Sequence, residues 1–248
     1  MEQNGRKKKT GRFYGVGVGA GDPEDITLRA IRVFQKCQVI GRQESKTAYD
    51  IAGQACLEAD IIIEEKEKLF LSLPMSRDEE ALKRAWRKAA GQIAEKLVEG
   101  KDVALPVLGD PTIYASVGYL KEELDRAGFE TSLVNGIPSF VRAASDAGIS
   151  LVQGKEALHI FPGISGAEEA LRFSGTRVFM KTGKELNRLR NGLEQILWEA
   201  QQHGEKEPEI YCVEKAGWKE KSLKIGQDAL NGENGYYTLV IVKQGRES

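Results

Sequence analysis

Apolar residues along this chain follow two patterns, short continuous runs and longer stretches with helical spacing. The runs at Arg12–Val18 and Asp102–Leu108 are almost continuously apolar, which is typical of buried parallel strands. Shorter runs predict further strands at Gln38–Gly41, Asp60–Ile63, Phe129–Val134, Ala157–Phe161, Arg177–Lys181, Glu209–Val213 and Tyr236–Lys243. Because these strands alternate with helical stretches, the chain is predicted to be an α/β protein with parallel strands covered by helices.

The helical spacing is clearest after Asp22 and in two longer segments. Residues that would share one apolar face after Asp22 are Ile26, Ala30, Ile31, Val33 and Phe34. Further helices are predicted at Thr47–Leu57, from the 76–79 stretch to Gly100, from Pro111 to about Ala127, and at Lys184–Gln202. The turn at 135–139 lies between the two sets of elements, so the sequence predicts one α/β domain at 12–134 and another at 135–248.

Two of the predicted strands run into the same tripeptide, Gly21-Asp22-Pro23 and Gly109-Asp110-Pro111. Glycine allows a sharp turn and the close approach of a ligand to the main chain. Aspartate is a good helix N-cap and proline suits the first helical position, so both aspartates have an alternative interpretation as caps alone. The carboxyl ends of parallel strands meet at one edge of a sheet, where open α/β folds bind small molecules. Both loops are therefore predicted to lie at that edge.

Composition and net charge limit the classes of partner that the protein is expected to bind. The 248 residues are 41% hydrophobic and 29% charged with a net charge of −1, which gives no bias toward nucleic acid or an anionic membrane. No apolar stretch approaches the roughly 20 residues of a membrane span, and none resembles a signal peptide. Cys37, Cys56 and Cys212 form no metal or redox motif, and a reducing cytoplasm is the expected setting. With His159 and His203 as the only histidines, no metal site is expected.

The first glycine-rich loop formally matches a dinucleotide fingerprint. Gly15–Ala20 fits the G-x-G-x-x-G/A pattern, and Glu44 follows the next strand as a ribose-binding acid could. In that fingerprint, however, the helix begins at the glycines and its N-terminus faces the pyrophosphate. Here Asp22-Pro23 delays the helix by a turn, and Asp22 places a negative charge where a phosphate would lie. A ligand that is cationic or lacks phosphate, such as a sulfonium, suits the two loops better.

Both loops in their full sequence resemble the tetrapyrrole methyltransferase family. The matching segments are Tyr14–Leu28, with Gly-Val-Gly-Val-Gly-Ala-Gly-Asp-Pro-Glu inside it, and Leu108–Tyr114, Leu-Gly-Asp-Pro-Thr-Ile-Tyr. The resemblance extends through residues 73–78, 135–140, 179–181, 214–216 and 236–242, and so covers about 12–242. It implies two α/β domains with the active site in the cleft between them. It also implies S-adenosyl-L-methionine as cofactor, a small tetrapyrrole substrate and a homodimer.

Within the family, the resemblance is to the branch that methylates C20 of precorrin-2 or cobalt-precorrin-2 in cobalamin biosynthesis. The Gly-Asp-Pro-Thr-Ile-Tyr form of the second loop and residues 73–78 are the distinguishing stretches. Three alternatives stay open. The chain could methylate another corrin carbon, it could act on a protein substrate, or it could bind a tetrapyrrole or nucleotide without catalysing a reaction.

The resemblance implies a set of site residues. The cofactor-binding residues would be Leu108, Gly109, Asp110, Thr112, Ile113, Tyr114, Ser139, Phe140, Met180, Ala216, Tyr237 and Thr238. The substrate-binding residues would be Ala20 and Asp22 at the edge of the tetrapyrrole trough, with Arg42, Lys46 and Arg77 as clamps for its carboxylates. Methyl transfer from a sulfonium needs mainly proximity and orientation, and the sequence indicates no catalytic base.

Overall fold

Each half of the chain forms its own five-stranded sheet. The computed structural model describes residues 9–74, 76, 78–182, 186–204, 206–231 and 235–244. The chain divides into one compact unit that ends at Pro138 and a second that begins at Ser139. No helix in these described ranges is both long and apolar enough to cross a membrane.

The first unit is a parallel α/β sheet. Its strands are β1 (Arg12–Gly17), β2 (Val39–Gln43), β3 (Glu67–Leu71), β4 (Val103–Val107) and β5 (Glu130–Val134). Its helices are α1 (Leu28–Lys36), α2 (Thr47–Glu58), α3 (Glu79–Val98) and α4 (Val117–Arg126). The strand order is β3-β2-β4-β1-β5 and every pair is parallel, which confirms the α/β prediction for this half.

Side chains of the first sheet alternate between two apolar layers. On β1, Tyr14 and Val16 pack with residues of α1 and α2, whereas Phe13 packs with residues of α3 and α4. On β2, Ile40 faces the first layer and Val39 the second. Phe13 is fully buried, and burial of such a side chain stabilises the fold by roughly 1.5–3 kcal/mol. Both faces are therefore covered, as the continuous apolar runs indicate.

Three boundaries in the first unit differ from the predictions. The strand expected at Asp60–Ile63 is wrong, because Ile63 begins a 3₁₀ turn and the strand is β3. β3 buries only Leu69 and Leu71 and exposes Glu67, Lys68 and Phe70, a pattern of an edge strand that a search for apolar runs misses. α1 and α4 also begin later than expected, at Leu28 and Val117, so neither Gly-Asp-Pro loop leads directly into its helix.

The second unit has a mixed sheet. Its strands are β6 (Leu158–Phe161), β7 (Thr176–Phe179), β8 (Glu209–Glu214), β9 (Ser222–Ile225) and β10 (Thr238–Lys243). Its helices are α5 (Ser139–Asp146), α6 (Ala167–Leu171) and α7 (Leu186–His203). The order is β6-β7-β10-β8-β9, and only β6 and β7 are parallel.

The expectation of parallel strands is therefore wrong for most of the second unit. A parallel pair needs a crossover of a dozen or more residues, whereas only 215–221 separate β8 from β9. α5, α6 and β9 were not predicted from the sequence. α6 has five residues, too few to show a helical period, and β9 exposes most of its residues.

Three glycines of the first unit bring main chains into close contact at the carboxyl edge of its sheet. A Cβ on Gly136 would lie 2.2 Å from the Gly109 oxygen and 2.8 Å from the Gly17 carbonyl carbon. A Cβ on Gly17 would lie 2.5 Å from the Gly136 nitrogen. The ends of β1, β4 and β5 can approach this closely only because Gly17 and Gly136 lack a side chain.

We expect Gly136→Ala to lower the free energy of unfolding by roughly 1–3 kcal/mol, because its methyl group meets main-chain atoms that cannot turn away. The measurement is urea denaturation at neutral pH. Gly91→Ala is the matched control, since Gly91 lies in the exposed middle of α3 with nothing within 4 Å of the added Cβ. The control should raise stability by about 0.5–1 kcal/mol. Equal stability of the Gly136 variant and the wild type would contradict the close approach.

Candidate functional site

The two Gly-Asp-Pro loops of the first unit lie side by side. The Gly109 N–H donates to the Gly19 oxygen at 2.7 Å, and these two residues form an isolated antiparallel bridge. Just before the bridge, the Val18 N–H donates to the Val107 oxygen at 3.0 Å. The loops after β1 and β4 are thus joined at the carboxyl edge of the sheet, where the sequence predicts a ligand site.

Asp110 is the centre of this edge. Its carboxylate is buried, with 6% of the residue exposed. Oδ1 accepts from the Thr112 N–H at 2.8 Å and from the Thr112 hydroxyl. Oδ2 accepts from the Asn135 side-chain amide at 3.2 Å and from the Gly136 N–H at 3.1 Å. One side chain therefore ties the loop after β4 to the turn after β5.

These hydrogen bonds also fix the charge of Asp110. Burial by itself would raise the pKa of its carboxyl group, because a charge is costly away from water. The donors from Thr112, Asn135 and Gly136 outweigh burial and hold the pKa below its ordinary value. The group is an ionised carboxylate whose two oxygens are both engaged inside the protein, which suits it to shape the loop.

The rest of the second loop presents main chain and polar side chains. Leu108 and Ile113 are partly buried, while Thr112 and Tyr114 are exposed. The Ile113 N–H donates to the Asp110 oxygen at 3.3 Å, which makes the loop a tight turn. Tyr114 has φ of 48°, in the left-handed region that a bulky residue rarely adopts. Such strained residues persist where the surroundings enforce them, often at ligand-binding loops.

In the second unit, four of the predicted cofactor residues gather at one edge of the mixed sheet. Met180 follows β7, Ala216 follows β8, and Tyr237 and Thr238 lead into β10. Because β10 is antiparallel to both neighbours, its start lies beside their ends. The Lys215 N–H donates to the Tyr237 oxygen at 3.0 Å and the Thr182 N–H donates to the Thr238 oxygen at 3.1 Å, which links the three segments.

The same edge carries two further strained residues. Lys181 and Lys215 have φ of 57° and 53°, and they adjoin Met180 and Ala216. Four non-glycine residues in the described ranges have positive φ. One is Tyr114, a predicted cofactor residue, and two more, Lys181 and Lys215, are neighbours of predicted cofactor residues. The sequence gives no sign of this, because lysine and tyrosine are not residues that mark left-handed turns.

A second buried carboxylate, that of Asp146 at the end of α5, holds the loop after β8. Its side chain is 4% exposed and accepts from the Gly217 N–H at 2.8 Å and the Lys221 ammonium at 2.6 Å. The Arg142 guanidinium donates to it at 3.3 Å. Burial would raise the pKa of Asp146, but these donors and cations lower it below the ordinary value. No local sequence pattern marks Asp146 as a site residue.

Asp146 connects two groups of predicted cofactor residues. It lies on the helix that begins with Ser139 and buried Phe140, and it bonds to the residue directly after buried Ala216. Thr238 is also buried, with its hydroxyl donating to the Gly235 oxygen at 2.7 Å. Tyr237 is partly buried, and its ring lies 5.4 Å from that of Trp218.

The predicted substrate residues differ in their surroundings. Ala20 is buried beside the bridge, and Asp22 accepts from the Glu24 N–H at 3.0 Å, so it caps a 3₁₀ turn and not α1. Arg42 is partly buried near the end of β2, and Lys46 is exposed before α2. Arg77 lies outside the described residues. In the described ranges, no three His, Cys, Asp or Glu side chains are grouped as a metal site.

Each edge, taken by itself, offers groups that suit one part of S-adenosylmethionine, the cofactor that the family resemblance implies. The first edge offers a strained, exposed loop of main chain with the Thr112 hydroxyl, suited to the polar amino-acid and ribose parts. The second edge offers the small Ala216 and the apolar Met180 beside main-chain groups, suited to a flat heteroaromatic ring. No side chain at either edge has to supply a metal ligand for such a molecule.

Comparison with known proteins identifies relatives of the chain. The family model for tetrapyrrole (corrin/porphyrin) methylases matches residues 12–227. A probable cobalt-precorrin-2 C(20)-methyltransferase of Methanocaldococcus jannaschii is 31% identical over 94% of this chain and 96% of its own. A precorrin-2 C(20)-methyltransferase of Sinorhizobium sp is 29% identical over 94% of this chain and 95% of its own.

Solved structures show the same fold. A cobalt precorrin-4 methyltransferase superposes with a TM-score of 0.72 at 18% identity, covering 94% of both chains. The uroporphyrin-III C-methyltransferase of Thermus thermophilus, in complex with S-adenosylhomocysteine, gives a TM-score of 0.63 at 19% identity, covering 94% of this chain and 97% of its own. The family model covers most of the chain and the relatives match it almost end to end. The protein therefore belongs to the tetrapyrrole methylase family.

Proposed function

We propose that the protein transfers a methyl group from S-adenosyl-L-methionine to C20 of precorrin-2 or cobalt-precorrin-2, as a step of cobalamin biosynthesis. The observation that carries the proposal is similarity over 94% of the chain to two relatives that are named for this reaction. The geometry supports it, because both units present a strained main-chain edge at the residues that the family resemblance assigns to the cofactor.

As the family resemblance implies, the proposed site would draw residues from both the domain at 12–134 and the domain at 135–248. The 108–114 loop would hold the methionine and ribose parts of the cofactor, with Ser139 and Phe140 beside them. Met180, Ala216, Tyr237 and Thr238 would hold the adenine. Asp110 and Asp146 would act through the main chain that they fix, since the oxygens of both carboxylates are engaged by donors of their own unit.

The proposed reaction needs little acid or base catalysis. When bound, the cofactor supplies a methyl group on a sulfonium, and the neutral thioether that leaves needs no proton. The protein's part is to orient the reacting carbon and to exclude water, and such positioning is worth up to about 7–11 kcal/mol of the barrier. Rigid main chain, fixed by buried carboxylates, serves that role better than a mobile side chain.

The proposal includes a homodimer in the cytoplasm, as the family resemblance implies. Cys37, Cys56 and Cys212 are unpaired and buried, which agrees with a reducing compartment. Burial raises the pKa of Cys37 to about 12, so this thiol is unreactive at neutral pH. Light scattering after gel filtration distinguishes a dimer from a monomer of 27.4 kDa.

The direct test of the function is an assay with precorrin-2 and S-adenosylmethionine labelled with ¹³C in the methyl group. We expect one labelled methyl per tetrapyrrole, with its NMR signal at C20. A label at another ring carbon, or transfer to a protein in place of the tetrapyrrole, would contradict the proposal in favour of another family activity. Binding of S-adenosylhomocysteine in calorimetry without any turnover would favour a non-catalytic module.

Asp110→Asn tests the carboxylate that holds the second loop. Because the folded pKa of Asp110 lies below its unfolded value, its contribution to stability is present above about pH 4 and is lost as the pH falls through the folded pKa. We expect the variant to be roughly 1.5–3 kcal/mol less stable than the wild type at pH 7 in urea denaturation. The difference should shrink as the pH is lowered below 4.

The control for this substitution is Asp78→Asn at the start of α3. Asp78 is an exposed N-cap that accepts from the main-chain N–H groups of Glu80 and Ala81, and asparagine caps about equally well, so its cost should stay below about 1 kcal/mol. If the Asp110 variant and the wild type differed equally at pH 7 and pH 3, the carboxylate would not be the group that holds the loop.

Asp146→Asn tests the loop after β8. We expect the KM for S-adenosylmethionine to rise roughly threefold to tenfold, because the Lys221 and Gly217 contacts weaken and Ala216 shifts. The KM for the tetrapyrrole and kcat should change less than about twofold, a split that general destabilisation would not produce. Asp228→Asn, at an exposed residue of the same unit, is the control and should change neither constant. Equal effects on both KM values would contradict this positioning role.

A further inference from the structure

The loop after β8, at residues 215–221, changes direction at Trp218. The Trp218 N–H donates to the Lys215 oxygen at 3.0 Å, and the Trp218 oxygen accepts from the Lys221 N–H at 3.2 Å. Lys215 and Gly217 have φ of 53° and 79°, so two of the three residues before Trp218 are in the left-handed region. Trp218 therefore lies where two turns meet, directly after the strained part of the loop.

The side chain of Trp218 packs on the ring of Tyr237. The two ring centres are 5.4 Å apart and the ring planes are tilted by 36°. Tyr236 meets Tyr237 edge to face, with ring centres 5.2 Å apart, and the Lys215 ammonium lies over the Trp218 ring at 6.0 Å from its centre. Tilted and edge-to-face aromatic pairs, and a cation over an indole, add to the stabilisation that burial gives.

This stack joins two segments that are far apart in the sequence. Trp218 belongs to the loop after β8, whereas Tyr237 leads into β10, the antiparallel neighbour of β8. The main chain links the same two segments through the Lys215 N–H, which donates to the Tyr237 oxygen at 3.0 Å. The ring stack is a second link between them, three residues farther along the loop.

The two links enclose a predicted cofactor residue. Ala216 lies between Lys215 and Trp218 and is 4% exposed. Trp218 is partly buried, whereas Lys219 and the two residues after it are exposed. Asp146 holds the main chain of Gly217 in the same stretch. The loop is thus anchored along its first half, where Ala216 lies, by a carboxylate and by an aromatic ring.

We propose that Trp218 is a positioning residue of the cofactor site. By stacking on Tyr237 it would hold Ala216 and Tyr237 at the place proposed for the adenine, and so determine the affinity for S-adenosylmethionine. A loop that is already ordered has less conformational entropy to lose when the ligand binds. The inference rests on the proposed function for the identity of the cofactor. Trp218 acts through Tyr237 and takes no part in the methyl transfer itself.

The first test is calorimetry of the full-length protein with S-adenosylhomocysteine. We expect Trp218→Leu to bind about fivefold more weakly than the wild type, because the stack is lost and the loop has to be ordered on binding. Trp218→Phe keeps a ring and should bind within about twofold of the wild type. In the methyl-transfer assay, Trp218→Leu should raise the KM for S-adenosylmethionine by the same factor. The KM for precorrin-2 and kcat should change less than about twofold, a split that general destabilisation would not produce.

The second test measures the loop without any ligand, by amide hydrogen exchange of residues 215–218. We expect the exchange of this segment to be about fivefold faster in Trp218→Leu than in the wild type, and nearly unchanged in Trp218→Phe, because the stack limits local opening. If Trp218→Leu does not fold, Trp218→Met, which fills more of the space without a ring, should show the same two changes.

The matched control is Trp198→Leu, at a tryptophan of α7 in the same unit that is 61% exposed. Its affinity for S-adenosylhomocysteine and its exchange at residues 215–218 should equal those of the wild type. Urea denaturation of all variants reports that they are folded.

Three results would overturn the inference. They are binding of S-adenosylhomocysteine by folded Trp218→Leu as tightly as by the wild type, equal weakening by Trp198→Leu, and unchanged exchange of the loop. A wild type that binds S-adenosylhomocysteine but methylates another carbon would contradict the C20 assignment alone, since affinity and exchange still report on Trp218. A wild type that does not bind S-adenosylhomocysteine would contradict both proposals.

Discussion

The carboxylate of Asp110 is the interaction on which the candidate site depends. It accepts from donors on both sides, from Thr112 in its own loop and from Asn135 and Gly136 in the turn after β5. These bonds hold the glycine main chains at a distance that no side chain would allow. Since desolvating a carboxylate is costly unless its oxygens are paired, the loop is stable only in the arrangement that supplies all of these donors.

In the second unit, Asp146 is the buried carboxylate that holds a loop. It fixes the loop after β8 through the Gly217 N–H and Lys221. Both carboxylates act on main chain, and both hold loops that contain non-glycine residues in the left-handed region. Stability from buried polar pairs thus offsets local strain of about 1–3 kcal/mol per residue. A reaction that depends on orientation more than on proton transfer benefits from a rigid main-chain surface of this kind.

Much of this could be predicted from the sequence, because the continuous apolar runs at β1 and β4 and the paired Gly-Asp-Pro loops have few other interpretations. The family was also recognisable from those loops. β3 and β9 were not, since edge strands bury few residues and leave a weak pattern. Asp146 and the strain at Lys181 and Lys215 depend on contacts between segments far apart in the chain, which no local pattern records.

The most direct test of the central claim is a crystal structure of the protein with S-adenosylhomocysteine bound. We expect the ligand to contact the main chain of Leu108–Tyr114. We also expect the Asp110 oxygens to keep Thr112, Asn135 and Gly136 as their partners, as they do here. A ligand bound away from this loop would contradict the claim. So would an Asp110 carboxylate that leaves Asn135 and Gly136 to contact the ligand itself.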